Sequence, residues 1–327
     1  MASRPTDGPG GPQQRSEELR ARRAERKRQI RRRRLVAGGA LVVAAGVIVA
    51  VVAIASSGGS GSAAGGAGLT EEIPGSHVLQ GENVGHPVDH QDLGKVRNST
   101  PQPDWEPHPG PVPILEYHVL GEAPADAPYP ELYVERPDFR HQLEWLDEHG
   151  YQAVTLHQVE SAWYDGGTLP PKPVVLSFDD GYRPQFTFAL PQLRKHGWAG
   201  VLNLKAEGSD LYESNVKAMI AAGWELASHT IHHSDLTTLD AAALEEELDG
   251  SKEMLEDEFG VEVKNFCYPA GEFDETVIAA VEAAGYVGAT TEISGYAESD
   301  APYELARFEI LGSSGVEGMA EDLESGP

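Results

Sequence analysis

The sequence of 327 residues contains a single cysteine, Cys267, which excludes an internal disulfide framework. The His-Glu-x-x-His pattern of zinc peptidases is absent, and so is the cysteine and histidine set of zinc-dependent nucleic-acid deaminases. The C-terminal part of the sequence also lacks histidine, because none of the 12 histidines follows His233. A catalytic histidine near the C-terminus is therefore excluded.

Basic residues are scarce outside the N-terminus. The first 34 residues hold 12 of the 25 Lys and Arg residues, whereas the rest of the chain carries 48 acidic residues against 13 basic ones. Binding to a phosphate backbone needs a cationic surface, so we predict that nucleic acid is not a partner. We predict no protein partner either.

One long apolar run is present, from Leu35 to Ala55, and it contains 21 residues without a charge. At the helical rise it spans about 30 Å, which matches the hydrocarbon thickness of a bilayer. Arg31 to Arg34 precede it, so we predict a single-pass cell-membrane protein with an extracellular C-terminal domain. A cleaved export signal, which would give a secreted protein, stays open because Ala53 and Ala55 resemble a peptidase site.

Composition divides the chain into four segments. Ser56 to Gly68 contains nothing but Ser, Gly and Ala, which is typical of a flexible linker. From Pro111 onward, short apolar runs alternate with helical patterns. The predicted order is a basic cytoplasmic tail (1–34), a transmembrane anchor (35–55), a flexible linker (56–110) and a folded domain (111–327).

The folded domain has the pattern of an α/β protein. Apolar runs such as 111–118 and 173–180 alternate with helical segments such as 137–150 and 240–260. This alternation predicts a mainly parallel sheet, and seven or so units indicate an irregular or incomplete (β/α) barrel of the seven-stranded type. In such a barrel the active site lies at the carboxyl ends of the strands. Polar residues close four of the runs: His118, Asp179 with Asp180, His229, and Pro269 to Gly271.

The stretch "LSFDDGY" ends an apolar run with two adjacent carboxylates, Asp179 and Asp180, followed by Gly181. Neighbouring side chains in a strand point to opposite faces, so both acids can serve one site only if the chain turns there. Gly181 permits that turn at little steric cost. Two carboxylates this close need a cation or hydrogen bonds to remain ionised, which indicates a metal.

The stretch "SHTIHH" places His229 and His233 four residues apart. One helical turn would put both imidazoles on the same face, where two histidines and one carboxylate form a metal site with open positions. A cluster of solvated histidines at a strand end is the alternative. His232 is predicted to point elsewhere.

Both stretches resemble the first two motifs of the polysaccharide deacetylase family, also known as the NodB-homology or carbohydrate esterase 4 group. The similarity covers about 112–312. It implies an irregular (β/α) barrel and a divalent metal, commonly zinc. It further implies that Asp179 is the catalytic base and that Asp180, His229 and His233 are the metal ligands. The third motif implies that the backbone N–H of Ala270 stabilises the oxyanion.

Two departures from the family pattern concern catalysis. Cys267 stands where the third motif usually has the arginine that steadies the catalytic aspartate. Arg307, which opens the last predicted strand, could orient Asp179 or could pair on the surface. The late histidine that serves many members as general acid is missing. His118 is the best substitute, and Glu116 and Glu272 are weaker ones. A histidine that is only hydrogen-bonded at a strand end is the alternative for His118.

The predicted function is removal of acetyl groups from N-acetylated sugars of a cell-surface polysaccharide or of peptidoglycan. The substrate would be a glycan polymer, and the membrane would be contacted through one helix. Two alternatives stay open: an O-acetyl esterase of the xylan type, and a glycan-binding pseudoenzyme that has lost turnover.

Overall fold

A computed structural model of the protein describes residues 94–326. The predicted tail (1–34), the anchor (35–55) and the linker up to residue 93 lie outside the described residues. Among residues 94–326, no helix combines the length and apolar character that a membrane span needs.

Parallel strands form the centre of the described domain. In the main sheet the order is β10-β1-β5-β6-β7-β8-β9, with β4 added beside β5 and β11 beside β1, while β2 and β3 form a separate pair. A bridge between Thr290 and Leu305 and the parallel pairing of β11 with β1 curl the sheet back on itself. The strands are β1 (Val112–Tyr117), β2 (Val119–Leu120), β3 (Tyr133–Val134), β4 (Gln152–Val154), β5 (Pro173–Asp179), β6 (Val201–Leu204), β7 (Glu225–Ser228), β8 (Asn265–Cys267), β9 (Gly288–Thr290), β10 (Tyr296–Ala297) and β11 (Phe308–Glu309).

Helices follow most of these strands and cover the sheet. The α-helices are α1 (Arg136–Glu148), α2 (Leu156–Tyr164), α3 (Leu190–His196), α4 (Glu213–Ala221), α5 (Ala241–Glu245), α6 (Ser251–Phe259), α7 (Glu275–Ala283) and α8 (Gly315–Glu324). Five-residue π-helical segments precede α3 and α6, at Gln185–Ala189 and Glu246–Gly250. The alternating pattern and its (β/α) barrel architecture are confirmed. Two helices, α2 and α8, were not predicted from the sequence.

Alternation along the strands places the polar residues of the site on one face. In β5, Val174, Leu176 and Phe178 pack in the larger hydrophobic core beneath the helices, while Val175 packs in a smaller core with residues of the neighbouring strands. Because side chains alternate, Asp179 lies on the same face as Val175. The same alternation in β1, with Ile114 in the smaller core, puts Glu116 on that face. The interior of the curled sheet thus changes from apolar to polar toward the carboxyl ends of the strands.

Residues 94–110, part of the predicted linker, contact the opposite end of the barrel. Trp105 is buried in the smaller core, and Glu106 and Leu169 exchange two backbone hydrogen bonds of 3.0 and 2.9 Å. Asn98 is also buried and donates to the carbonyl of Ala153 at 3.1 Å. The folded domain therefore begins before residue 111, because an apolar side chain from this segment closes the bottom of the sheet.

Candidate functional site

The two adjacent acids reach one site through a turn in the left-handed region. Asp179 ends β5, Asp180 has φ of 74° and Gly181 has φ of 80°. A Cβ atom on Gly181 would lie 2.4 Å from Ser209 Oγ and 2.5 Å from Leu204 Cδ1, so only glycine fits there. The turn predicted from the Asp-Asp-Gly sequence is confirmed.

Strained backbone is concentrated at this end of the barrel. Among residues 94–326, the residues other than glycine with positive φ are Asp180, Thr230, His233 and Ala270. Each of them belongs to one of the three predicted motifs. Such conformations cost about 1–3 kcal/mol each and persist where the surrounding structure enforces them, typically at functional sites.

Asp179 is buried and is held by three neighbours. Arg307 Nη1 donates to both of its carboxylate oxygens, at 3.0 and 2.9 Å. Asn203 Nδ2 donates to Oδ1 at 2.7 Å, and Cys267 Sγ donates to Oδ2 at 3.3 Å. Burial alone would raise the pKa of Asp179, but the charge of Arg307 leads the effects that lower it below its ordinary value. Asp179 is therefore ionised at neutral pH.

The predicted ligands Asp180, His229 and His233 lie together. Their ligand atoms are all within 4.8 Å of one another. The Nε2 atoms of His229 and His233 lie 3.9 and 3.7 Å from Asp180 Oδ1. The predicted helical turn between the histidines is wrong, because Thr230 and His233 have φ of 66° and 60° and the segment is a non-helical loop. The loop, rather than helical periodicity, brings the imidazole centroids to 4.8 Å.

The chemistry of these donors fits a divalent cation. Asp180 Oδ1 is buried and accepts no hydrogen bond from any described residue. His229 Nδ1 donates to the carbonyl of Cys267 at 2.9 Å, which leaves Nε2 facing Asp180. Burial lowers the pKa of His229 to about 4, so its imidazole is neutral at neutral pH. A lone pair on nitrogen thus faces a carboxylate oxygen, an arrangement that a cation between them stabilises.

His118 lies close to both Glu116 and Asp179. Its Nε2 atom is 3.7 Å from Glu116 Oε1, and these two residues and Asp179 offer ligand-type atoms within 4.8 Å of one another. Arg307 Nη2 lies 3.1 Å from Glu116 Oε2. Burial raises the pKa of Glu116 well above its ordinary value, although Arg307 opposes that effect. Arg307 is buried and orients Asp179, so of its two predicted roles surface pairing is excluded.

The third motif borders the site through its cysteine. Cys267 contacts Asp179, and burial raises the pKa of its thiol well above the ordinary value, so it is protonated and donates. Three residues later Ala270 forms an exposed turn with φ of 49°. Glu272 follows that turn and is exposed.

Two residues at the site were missed in the sequence. Asn203 is the third residue of β6 and faces the same interior as Asp179, so the alternation of β6 is the signal that could have found it. Lys205 follows β6, and its Nζ atom lies 3.4 Å from Asp180 Oδ1. Lys205 closes an apolar run, so its position at the carboxyl end of β6 is the signal that could have found it.

Comparisons with known proteins agree with this architecture. Residues 166–289 match the polysaccharide deacetylase family model. YxkH of Bacillus subtilis (strain 168), whose name assigns it provisionally to the polysaccharide deacetylases, is 30% identical over 217 residues, covering 65% of this chain and 75% of that protein. The chain belongs to the polysaccharide deacetylase family.

Two further similarities concern a shorter segment and the fold. The poly-beta-1,6-N-acetyl-D-glucosamine N-deacetylase of Escherichia coli (strain K12) is 41% identical over 95 residues, which are 29% of this chain and 14% of that protein. The Streptococcus pyogenes deacetylase PplD, solved in complex with acetate, superposes with a TM-score of 0.61 and 24% identity over 66% of this chain and 99% of that one. At that identity the superposition establishes the fold alone.

Proposed function

We propose that this protein is a metal-dependent N-deacetylase that removes acetyl groups from the N-acetylated sugars of a cell-surface polysaccharide or of peptidoglycan. Membership of the family supports the hydrolase class. The Escherichia coli relative, named for an N-acetylated glucosamine polymer, supports the choice of an amide over an ester. The apolar run from Leu35 to Ala55 supports a single-pass membrane protein with the domain outside, or a secreted one if the run is cleaved.

One observation carries the proposal: the buried Oδ1 atom of Asp180, which accepts no hydrogen bond from the described residues although Lys205 Nζ lies 3.4 Å away, faces two imidazole nitrogens. A second carboxylate, that of Asp179, is ionised beside it. Asp180, His229 and His233 would hold a divalent cation, and their oxygen and nitrogen donors suit zinc. A bound zinc ion would supply Lewis acidity, which makes water a better nucleophile and polarises a carbonyl group.

The remaining residues would move protons and stabilise charge. Asp179 would accept the proton of the attacking water, since Arg307 and Asn203 hold its carboxylate ionised and fixed. The N–H of Ala270 would donate to the oxyanion that develops on the acetyl oxygen. Cys267 would assist only by donating to Asp179.

His118 is the proposed general acid. It follows β1 directly and is nearly buried, next to Glu116 and Asp179. From that position it would protonate the amine as it leaves the acetyl carbon. His118→Gln should therefore retain metal and lose turnover, whereas loss of metal from that variant would contradict this assignment.

Release of acetate from the full-length protein tests the proposal. Chito-oligosaccharides, peptidoglycan and acetyl-xylan are supplied in parallel, with and without a chelator. We expect acetate from at least one of the two N-acetylated substrates, loss of release with the chelator, and recovery on adding Zn²⁺. Release from acetyl-xylan alone would establish the esterase alternative. Glycan binding without acetate from any of the three would establish the pseudoenzyme.

A further inference from the structure

One buried carboxylate accepts four hydrogen bonds from the loop that carries both histidine ligands. Glu247 is 7% exposed and lies in the π-helical segment before α6. Its Oε2 atom accepts the backbone N–H groups of Ile231 and His232, at 2.8 and 3.1 Å. Its Oε1 atom accepts His232 Nδ1 at 2.7 Å and Ser234 Oγ at 3.2 Å. A single side chain thus fixes three of the residues in the loop 229–234.

The helix that carries Glu247 is docked closely against this loop. One turn further on, Ser251 Oγ lies 2.8 Å from Ser228 Oγ at the end of β7. Between them, a Cβ atom on Gly250 would lie 3.1 Å from Ile231 Cδ1, a tight contact. The loop and the helix therefore pack along one face, and the carboxylate lies within that contact.

The loop needs such support because its backbone is strained. Thr230 and His233 have positive φ, a backbone conformation that costs about 1–3 kcal/mol for each residue other than glycine. His229 is fixed independently by the carbonyl of Cys267, but the His233 side chain is 34% exposed. The orientation of His233 thus depends mainly on the backbone of its own loop.

We propose that Glu247 is a positioning residue that holds the loop 229–234 in the conformation in which His233 faces Asp180. This inference rests on the proposed function, because it takes His229, His233 and Asp180 as the metal ligands. Glu247 touches no ligand atom and acts through the N–H groups of Ile231 and His232. His232, the third histidine of the motif, belongs to this support and not to the metal site.

Metal affinity of the full-length protein tests the inference. The metal-free wild type and the variants Glu247→Ala and Glu247→Gln compete with a chromophoric chelator for Zn²⁺, well below their melting temperatures. Glu246→Gln is the matched control, because it removes the same charge from an exposed neighbouring residue. Loss of partners that orient metal ligands typically weakens affinity by about 10- to 100-fold, and we expect a loss in that range for Glu247→Ala. Glu247→Gln keeps one carbonyl oxygen as acceptor and should lose less.

Two outcomes would overturn the inference. Wild-type affinity in both Glu247 variants, with only a lower melting temperature, would mean that Glu247 stabilises the fold without positioning a ligand. If Glu247→Ala does not fold, Glu247→Gln decides, and an unchanged affinity there has the same meaning. A wild-type protein that binds no Zn²⁺ would instead overturn the proposed function, and the inference with it. A weaker affinity in Glu247→Ala, with Glu246→Gln unchanged, supports it.

Discussion

Two buried carboxylates, one at each end of the barrel, have similar amide partners and opposite pKa shifts. At the carboxyl end of the strands, Asp179 accepts a hydrogen bond of 2.7 Å from Asn203. At the amino end, Glu160 of α2 accepts one of 3.1 Å from Asn265, the first residue of β8. The pKa of Asp179 is lowered, whereas burial first and the neighbouring Glu225 second raise the pKa of Glu160 to about 8.

The difference between the two ends is a guanidinium group. Burial favours the neutral acid at both places, and a single amide does not reverse that preference. At Asp179 the Arg307 side chain binds both oxygens and reverses it. At Glu160 the carboxylate of Glu225 adds to the effect of burial on the pKa. The charge of Lys264 opposes that effect but is the weakest of these contributions. The lowered pKa of Asp179 therefore depends mainly on one arginine, and removing either the acid or the cation tests that dependence.

Asp179→Asn should have the largest effect. Asparagine keeps the shape but cannot accept the proton of the attacking water, so kcat should fall by about 100- to 10,000-fold. The metal content should stay that of the wild type, because Asp179 is not a proposed ligand. Acetate-release kinetics and metal analysis check both points, with the exposed Asp165→Asn as control. A variant with normal turnover would remove Asp179 from the mechanism.

Arg307→Met should raise the pKa of Asp179, so that its shift resembles that of Glu160. Two buried carboxyl groups, Asp179 and Glu116, would lose their cation, which typically destabilises a protein by about 3–5 kcal/mol. With the strongest opposing charge removed, the pKa of Asp179 rises, so the acidic limb of the kcat/KM profile should move to higher pH. Urea unfolding and the pH profile measure the two effects. Arg307→Lys keeps the charge, so its acidic limb should shift less. An acidic limb at the wild-type pH in Arg307→Met would contradict the comparison between Asp179 and Glu160.

Glu160→Gln should change the pH dependence of stability at the other end. Because the pKa of Glu160 rises from 4.5 to about 8 on folding, the folded state holds its proton longer than the unfolded chain. This carboxyl thus lowers stability progressively as pH rises from about 4.5 to about 8, and by a constant amount above that. Glutamine is neutral at every pH. The free energy of unfolding of the variant should therefore rise relative to that of the wild type by on the order of a few kcal/mol over that pH range.

Unfolding of Glu160→Gln and wild type at about pH 5 and about pH 9 checks this expectation. An equal difference at both values would show that Glu160 is ionised in the folded protein over the whole range. Glu225→Gln offers a second measurement, since it removes the neighbouring carboxyl and should lower the pKa of Glu160.

Cys267→Ala should have the smallest effect. It removes a weak S–H donor from Asp179, while Arg307 and Asn203 keep their bonds to the same carboxylate. Because S–H is a weak donor, we expect its bond to contribute no more than about 0.5–1.5 kcal/mol, so kcat should fall by no more than about tenfold. A loss as large as that of Asp179→Asn would mean that the thiol has a role beyond donation.

The features that could be predicted from the sequence are those that depend on a local residue pattern. The Asp-Asp-Gly turn, the alternation of strands and helices, and the residues that close the strands were all visible as short motifs. Helix α2 was missed although its signal was present, since Thr155 and Gln158 form a capping box at its start.

Partnerships across the chain could not be predicted in the same way. Arg307 is 128 residues from Asp179, and the sequence left two roles open for it, orienting Asp179 or pairing on the surface. The return of β11 to β1 brings the two residues together and decides between these roles. The spacing of His229 and His233 suggested a helical turn, but positive φ in the loop achieves the same proximity by a different path. Periodicity cannot reveal such a loop, because its backbone N–H groups at Ile231 and His232 bind to Glu247, which lies on a later helix.

Metal content tests the central claim most directly, that Asp180 and not Asp179 joins His229 and His233 in holding a cation. Wild type, Asp179→Asn and Asp180→Asn of the full-length protein are loaded with Zn²⁺, desalted and analysed for bound metal. The account predicts that Asp179→Asn retains the metal of the wild type and that Asp180→Asn retains none. Wild-type metal content in Asp180→Asn would contradict it.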